Sequence, residues 1–478
     1  MNAYIKGLKE ENMEYDLIII GGGAGGFAAA IRANELEAKT AMINDGLPLG
    51  GTCVNVGCVP SKALLYAGEL LHLARHNSMP GIELEVKSFD FQKVVEHELE
   101  LVQMMQKEKY EKVLKRLEQV TFIQGRASFV SKNEVNVDGK TMRAKKILIA
   151  TGSTASVPPI DGIKETGFIT HTEALKLKAL PHELIVVGGG PLGLEFAQMY
   201  ARFGSRVTII EFQPSIFQQG EEEVVNRLES LLTEEGITIK TSATVKRAYK
   251  KRNKKVVIYL IDKKEYEVSG DEILLATGKT PNTKGLDLEK AGIETDRRHA
   301  VVVDKYLKTS NDNVFAVGDV TNQPSRLETT AGREGSIAAE NALTGSKLKM
   351  DYDTVPYTIF TDPQLAGVGL TEHEQMNRMN TCACRSVAFK DIPKAIILNR
   401  TEGLIKMTVH PKTGQILGVH ILSPNAGEII AQAMLLIKNK NTIYDVINTT
   451  PVFPTLSEAI KTCALSFVKD ISGLSCCV

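Results

Sequence analysis

Two cysteines stand five positions apart in a glycine-flanked run, Gly50-Gly51-Thr52-Cys53-Val54-Asn55-Val56-Gly57-Cys58-Val59-Pro60-Ser61-Lys62. Thiols at this spacing meet if the segment opens a helix whose first turn is distorted. A helix N-terminus and a nearby ammonium such as Lys62 both favour thiolate, the form that attacks disulfides and ligates soft metals. Two inert buried cysteines are the plain alternative. The remaining five of the seven cysteines fall as Cys382 with Cys384, Cys476 with Cys477, and Cys463 alone. An odd count at uneven spacing is no secreted disulfide framework and points to redox or metal chemistry in a reducing compartment. Adjacent Cys476 and Cys477, near the end of Leu474-Ser475-Cys476-Cys477-Val478, would form a strained vicinal ring. They suit better a mobile ligand pair for a soft ion. For Cys382-x-Cys384 a surface or core location is expected rather than a metal site.

The elements that must position these groups repeat. Tyr15–Ile20 is an apolar strand run followed by Gly21-Gly22-Gly23-Ala24-Gly25-Gly26, a helix over Phe27–Asn34 and a strand at Thr40–Ile43. The pattern returns 167 residues later as Leu184–Val187, then Gly188-Gly189-Gly190-Pro191-Leu192-Gly193, a helix over Leu194–Phe203 and a strand at Arg206–Ile210. Strand, G-x-G-x-x-G, helix and strand is the opening of a dinucleotide-binding βαβ unit. Its glycines allow the tight turn, the approach of a pyrophosphate and close helix–strand packing, and the helix N-terminus offers free N–H groups to the phosphates. One such motif is weak and two in context are strong, so two different dinucleotides are expected. Gly21, Gly23 and Gly26 would serve the first, and Gly188, Gly190 and Gly193 the second. Eighteen residues after Gly193 the strand ends at Glu211. An acid there accepts hydrogen bonds from a ribose diol and repels a 2′-phosphate, which leans toward NADH over NADPH.

Two runs end in Ala-Thr-Gly, Ile147–Gly152 and Ile273–Gly278, and Val314–Asp319 reads as a strand ending at an acid. Phe91–Leu117 has helical spacing with charges on a solvated face, and carries no evident chemistry. Strand runs at Leu404–Val409 and Ile416–Leu422 with a helix at Ala426–Ile437 suggest an α+β third domain.

Lys plus Arg and Asp plus Glu each number 57. Zero formal charge removes the electrostatic footprint of a nucleic-acid binder or of a protein drawn to acidic membranes. No apolar run reaches the length of a membrane span, and MNAYIKGLKEENMEYD lacks the apolar core of a signal peptide. A cytoplasmic protein is expected.

With these motifs the chain resembles the flavin-dependent pyridine nucleotide–disulfide oxidoreductases, a family that includes dihydrolipoamide dehydrogenase, glutathione reductase and mercuric reductase. The resemblance implies an α/β fold with two Rossmann-like dinucleotide-binding domains, for FAD and NAD(P), plus a C-terminal α+β dimerisation domain. The implied boundaries are 1–160 and 283–349 for FAD, 161–282 for NAD(P) and 350–478 for the dimerisation domain with its Cys-Cys tail. It implies that Cys53 faces substrate as the interchange thiol and that Cys58 lies beside the flavin. Asp319 would meet the FAD ribityl chain, and Gly46, Thr52, Ala127, Gly152 and Leu327 would line the FAD site. Gly278 is a further cofactor-binding candidate, and Lys62 with Glu195 matches an ion pair near flavin and nicotinamide. Residue 44 is Asn where the family usually places Glu for the ribose hydroxyls, and Asp45 would substitute only if the turn shifted by one residue.

The C-terminus separates family members. Those acting on disulfides carry His-Pro-Thr-Leu-Ser-Glu, with the His as acid–base group supplied by the partner subunit. Here the segment is Val452-Phe453-Pro454-Thr455-Leu456-Ser457-Glu458, and none of the nine histidines lies within 421–478. This ending, with CVNVGCVPSK and Phe360-Thr361-Asp362-Pro363-Gln364, is similar to the mercuric reductases, which usually have Tyr at the position of Phe453. The resemblance implies a homodimer with shared active sites that reduces thiol-bound Hg(II) to Hg(0), with Cys476 and Cys477 handing the ion to Cys53 and Cys58. A disulfide reductase, thioredoxin-reductase-like or dihydrolipoamide dehydrogenase-like, is the enzymatic alternative, and a flavoprotein that sequesters metal without turnover is the other.

Overall fold

The computed structural model describes residues 14–77, 79–473 and 475. Cys476 and Cys477 lie outside the described residues. The chain divides into two compact units, one of Met1–Ala63, Val95–Ser156 and Gly278–Tyr352, the other of Leu64–Val94, Val157–Thr277 and Asp353–Val478.

The first unit is built on a seven-stranded sheet. Val120–Gln124, Thr40–Asn44, Glu14–Ile20 and Lys140–Ile149 lie side by side in parallel, and Val314–Ala316 also pairs with Lys140–Ile149. Glu134–Val137 and Ala127–Ser131 extend the sheet antiparallel. Thr40–Asn44 is buried at every position and Glu14–Ile20 at all but two, as expected for parallel strands covered on both faces. The helices Ala24–Glu35 and Glu328–Thr344 supply a cover. Their backbones touch, because a side chain at Gly335 would overlap the Gly25 carbonyl.

The second unit holds three sheets. Thr238–Lys240, Arg206–Ile210, Glu183–Val187 and Glu272–Leu275 form a parallel Rossmann-like sheet, with helix Pro191–Phe203 after the glycine turn. Thr244–Lys251, Lys254–Ile261 and Lys264–Gly270 form an antiparallel meander. A five-stranded antiparallel sheet, ordered Tyr357–Ile359, Gln364–Gly369, Ile416–Ser423, Leu404–Val409 and Ala383–Ala388, packs with helix Ala426–Lys438 around the buried Ile405, Met407, Val419, Ile421 and Ile430. The architecture is thus two Rossmann-like α/β layers and a C-terminal α+β domain. Among the described residues no helix is long and apolar enough to cross a membrane.

Two elements differ from the reading of the sequence. The helix expected over Phe91–Leu117 is α-helical over Phe91–Gln106, widens to a π-helix over Lys107–Glu111 and resumes at Lys112–Leu114. The strand expected to end at Asp319 stops at Ala316, and Asp319 sits in a 3₁₀ turn, Gly318–Val320. Buried Glu334 holds that turn by accepting from the Gly318 N–H at 2.7 Å and the Tyr352 hydroxyl at 2.6 Å.

Candidate functional site: a dithiol beside a dinucleotide turn

Gly50 and Gly51 take positive φ, +94° and +59°, and open the short helix Gly51–Val56. Asn55 ties it down, donating to the carbonyls of Gly51 at 2.7 Å and Pro48 at 3.0 Å. Gly57 ends it, and a Cβ there would lie 2.8 Å from the Thr52 carbonyl oxygen. That close approach lets the helix Cys58–Arg75 start against the preceding turn, which is why a spacing of five brings the thiols together. Cys53 is half-buried and Cys58 exposed, and neither is in a disulfide. The Cys53 thiol is pushed far up, first by donating a hydrogen bond to the Cys58 sulfur and then by burial. The two sulfurs therefore lie within reach of one another.

The dithiol segment is stitched to the first glycine turn. The Gly50 N–H donates to the Gly22 carbonyl at 2.9 Å, and Gly51 abuts Gly23 so closely that a Cβ on it would sit 2.7 Å from the Gly23 Cα. Gly21 has φ +117°, and a side chain at Gly26 would overlap the Gly21 carbonyl. At Gly23 a side chain would meet only Gly51, at 3.8 Å. Helix Ala24–Glu35 starts with no side-chain cap on its N-terminus. A turn closed by its first and third glycines and open at its second, with bare N–H groups behind, fits a pyrophosphate.

Around it the same unit places Gly46, with nothing near its Cα face, Thr52 on the short helix, buried Ala127 at the start of its strand, and Gly152 at φ +67°. Leu327 stands at the N-terminus of Glu328–Thr344. Asp319 accepts from Ser153 at 2.6 Å. Asn44, rather than Asp45, holds the strand-end position. Its Oδ1 accepts from the Gly22 N–H at 2.9 Å and its Nδ2 donates to the Leu47 carbonyl at 2.9 Å, while Asp45 is exposed beyond the strand. Lys62 lies within 3.4 Å of the Ser61 hydroxyl.

Three contributors were not legible in the sequence. Lys279 follows the second Ala-Thr-Gly. Burial pulls its pKa down, and the charges of Asp319 and Cys58 act in the opposite direction, so its ammonium lies near both. Tyr110 comes from the π-helical turn. Its ring meets Phe27 edge-on at 5.0 Å and backs Gly50, and burial pushes its hydroxyl up to about 12, helped by Cys53 and Glu328. Gln106, just before that turn, donates to Asn55. The segment read as a solvated helix therefore supports the dithiol loop. A π-turn is a frequent companion of functional sites, but side-chain periodicity does not announce it.

The second unit repeats the turn. Gly188 has φ +111°, a side chain at Gly193 would overlap the Gly188 carbonyl, and Gly190 has nothing near it. Glu211 accepts from the N–H groups of Gly189 and Gln213. Gly278, which opens the last segment of the first unit, takes φ +97° and faces open space. Buried Glu195 accepts from the Phe360 N–H at 2.9 Å. Phe453 is exposed, and Glu458 accepts from the Thr455 N–H at 2.9 Å, capping its own turn.

Comparison with known proteins agrees with this geometry. The pattern of the pyridine nucleotide-disulphide oxidoreductases matches residues 15–335, and that of their dimerisation domain matches 355–464. The chain belongs to this family. A mercuric reductase of Staphylococcus aureus is 38% identical over 467 residues, covering 97% of this chain and 84% of that one. A mitochondrial dihydrolipoyl dehydrogenase of Pisum sativum is 34% identical over 469 residues, covering 95% and 91%. Among solved structures, the HOCl-induced flavoprotein disulfide reductase RclA of Escherichia coli superposes with a TM-score of 0.84 at 29% identity, over 95% of this chain and 100% of that one. As a family member the chain is an FAD-dependent NAD(P)H oxidoreductase of the disulfide type, with a dimerisation domain at its C-terminal end. The chain carries two such glycine turns, one beside the dithiol and one remote from it in sequence.

Proposed function

We propose that this oxidoreductase reduces thiol-bound Hg(II) to Hg(0) with NAD(P)H. The observation that carries the reading is at the segment 452–458. A disulfide substrate must be protonated as it leaves, yet Phe453 offers no proton, Glu458 is engaged with Thr455, and no histidine follows His420. Transfer of Hg(II) between sulfurs needs only ligand exchange. Bound FAD would supply the relay of two electrons from nicotinamide to Hg(II) held by the dithiol.

The chain's own residues then have separable tasks. Glu211 and the Gly188–Gly193 turn hold the nicotinamide dinucleotide, with NADH preferred because Glu211 would face a 2′-phosphate. The Gly21–Gly26 turn, Gly46, Thr52, Ala127, Gly152, Asp319 and Leu327 hold FAD, and Lys62 and Glu195 orient the redox partners. Lys279 steadies negative charge on the Cys58 sulfur. Cys476 and Cys477 of one subunit capture Hg(II) and pass it to Cys53 and Cys58 of the other. The balance is NAD(P)H plus Hg(II) giving NAD(P)⁺, Hg(0) and one proton, and the thiols return unchanged.

A second reading has at least equal support from the likenesses. Both the Escherichia coli disulfide reductase and the plant dihydrolipoyl dehydrogenase pair with this chain over nearly its whole length, and the facing thiols suit a disulfide. One experiment separates the two. NADH and NADPH oxidation is followed with excess thiol, with or without Hg(II), with volatile mercury trapped, and in parallel with lipoamide, glutathione disulfide or oxidised thioredoxin. Hg(II)-dependent oxidation with volatile mercury is expected. Turnover of a disulfide without volatile mercury would replace this reading by the second.

A further inference from the structure

Away from the dithiol, the C-terminal domain gathers a second set of soft ligands. Among the described residues, Glu372, Cys382 and Cys384 form a group whose carboxylate and sulfur atoms all lie within 4.8 Å of one another. The local sequence dictates this meeting. Glu372 opens the helix Glu372–Met379, which starts on a Thr371/Glu374 capping box and stops at Asn380 in the left-handed conformation, φ +52°. The chain then doubles back into the edge strand Ala383–Ala388, so that Cys382 passes beside the first turn of the helix. Residues two apart on an extended chain share a face, and Cys382 and Cys384 accordingly present their sulfurs together.

The distances are informative. The two Sγ atoms are 3.7 Å apart, and the Cys382 Sγ is 3.5 Å from Glu372 Oε1. Two sulfurs each about 2.3 Å from a tetrahedral Zn(II) stand roughly 3.8 Å apart, and a sulfur and a carboxylate oxygen roughly 3.6 Å. Two of the three edges of the ligand triangle are therefore near their ion-bound lengths without movement, and the third is within 4.8 Å. The charges agree. Lys406 contacts Glu221 at 2.8 Å, Glu372 at 2.6 Å and Glu223 at 3.5 Å, so three carboxylates surround one ammonium and positive charge is in deficit. Lys406 also holds Glu372 below the usual carboxylate range while leaving Oε1 turned to the thiols.

We propose that Glu372, Cys382 and Cys384 form a second metal site, distinct from the flavin-side dithiol, for a thiophilic tetrahedral dication of the Zn(II) class. Two thiolates and one carboxylate fill three positions and leave the fourth to water or to an exchanging thiol, the open arrangement from which an ion can also be given up. Binding forms two metal–sulfur bonds and one metal–oxygen bond and releases the two thiol protons to solvent. No oxidant or reductant is involved. The site does not depend on the identity of the enzyme's electron acceptor.

The test uses the FAD-loaded chain with Cys53, Cys58, Cys476 and Cys477 all changed to Ser, pre-reduced with a phosphine. Zn(II) is titrated against a chromophoric chelator, and the stoichiometry is checked by native mass spectrometry. One Zn(II) per chain is expected, together with protection of Cys382 and Cys384 from alkylation. Adding Cys382→Ser and Cys384→Ser removes the bound ion while FAD stays in place, which reports that the fold survives. Glu372→Gln weakens binding by about tenfold or more, at least the loss usual for altering a group that supports a metal site. No bound Zn(II) in the reduced parent, or Zn(II) retained after loss of Cys382 and Cys384, overturns the proposal.

Discussion

The turn after Glu14–Ile20 and the turn after Glu183–Val187 are almost the same object built twice. The Gly21 N–H donates to Ile43 O at 2.8 Å and the Gly188 N–H to Ile210 O at 2.9 Å, and Ala150 and Ala276 donate back to the preceding strands at 2.8 Å each. In both, an acceptor 22 residues beyond the second residue of the turn takes its N–H. There the copies part. The first uses the Asn44 carboxamide, which bonds the turn on one side and Leu47 on the other. The second uses the Glu211 carboxylate, which bonds Gly189 and Gln213. The shared part is steric and forced, since no side chain fits at the third glycine. The differing part is neutral in the first copy and charged in the second, and under the proposed function it is what would set the ribose each half accepts.

The largest expected effects test the shared part. Gly26→Ala should yield colourless protein, because its Cβ would overlap the Gly21 carbonyl and the turn could not close over FAD. Gly193→Ala should stay yellow yet no longer be bleached by NADH or NADPH. Absorbance of the purified variants and anaerobic addition of NADH check both. A yellow Gly26→Ala chain would show that the first turn is not the FAD cradle.

Smaller effects sharpen the difference. A hydrogen bond to a charged group is worth about 1.5–3 kcal/mol, so Glu211→Asn should raise KM for NADH about tenfold or more with kcat and FAD content held. The NADH preference over NADPH should shrink with it. The reciprocal Asn44→Glu should keep FAD bound and slow its dissociation, measured by dilution into apoprotein-free buffer. If neither exchange moves its own nucleotide, the strand-end residue is only a strut for the loop.

Most of this frame was legible because it obeys period and sterics. Strands such as Arg206–Ile210 and Leu404–Val409 fall where apolar runs demand them, and the glycine turns announce themselves. What escaped notice depends on contacts distant in sequence. Tyr110 and Gln106 reach the dithiol through a π-turn, Lys279 approaches Cys58 from the far side of the chain, and Glu334 fixes the Asp319 turn from within a later helix. Cys382 and Cys384 were expected to be ordinary surface or core thiols. Glu372 reaches them only because the chain reverses at Asn380, a turn with no apolar pattern to betray it.

The least of the expected effects concerns pH, and it too divides the two regions. In the second, burial would raise the Asp362 pKa, but Arg202 and Arg400 outweigh it and hold the carboxyl below the usual range. Its contribution to stability is present above the ordinary Asp value, about 3.9, and is lost as pH falls through the depressed folded value. In the first, burial raises Glu334 despite bonds from Tyr352 and Gly318. Its contribution is greatest below the ordinary Glu value, about 4.3, and fades as pH rises through the folded value. Acidification from about pH 5 toward 3 should therefore erode hydrogen-exchange protection around Arg202 and Arg400 before it touches Gly318–Val320. Asp362→Asn should flatten that early step, since an amide has no proton to gain. Protection lost in step across both regions would mean that these two acids do not set the acid response.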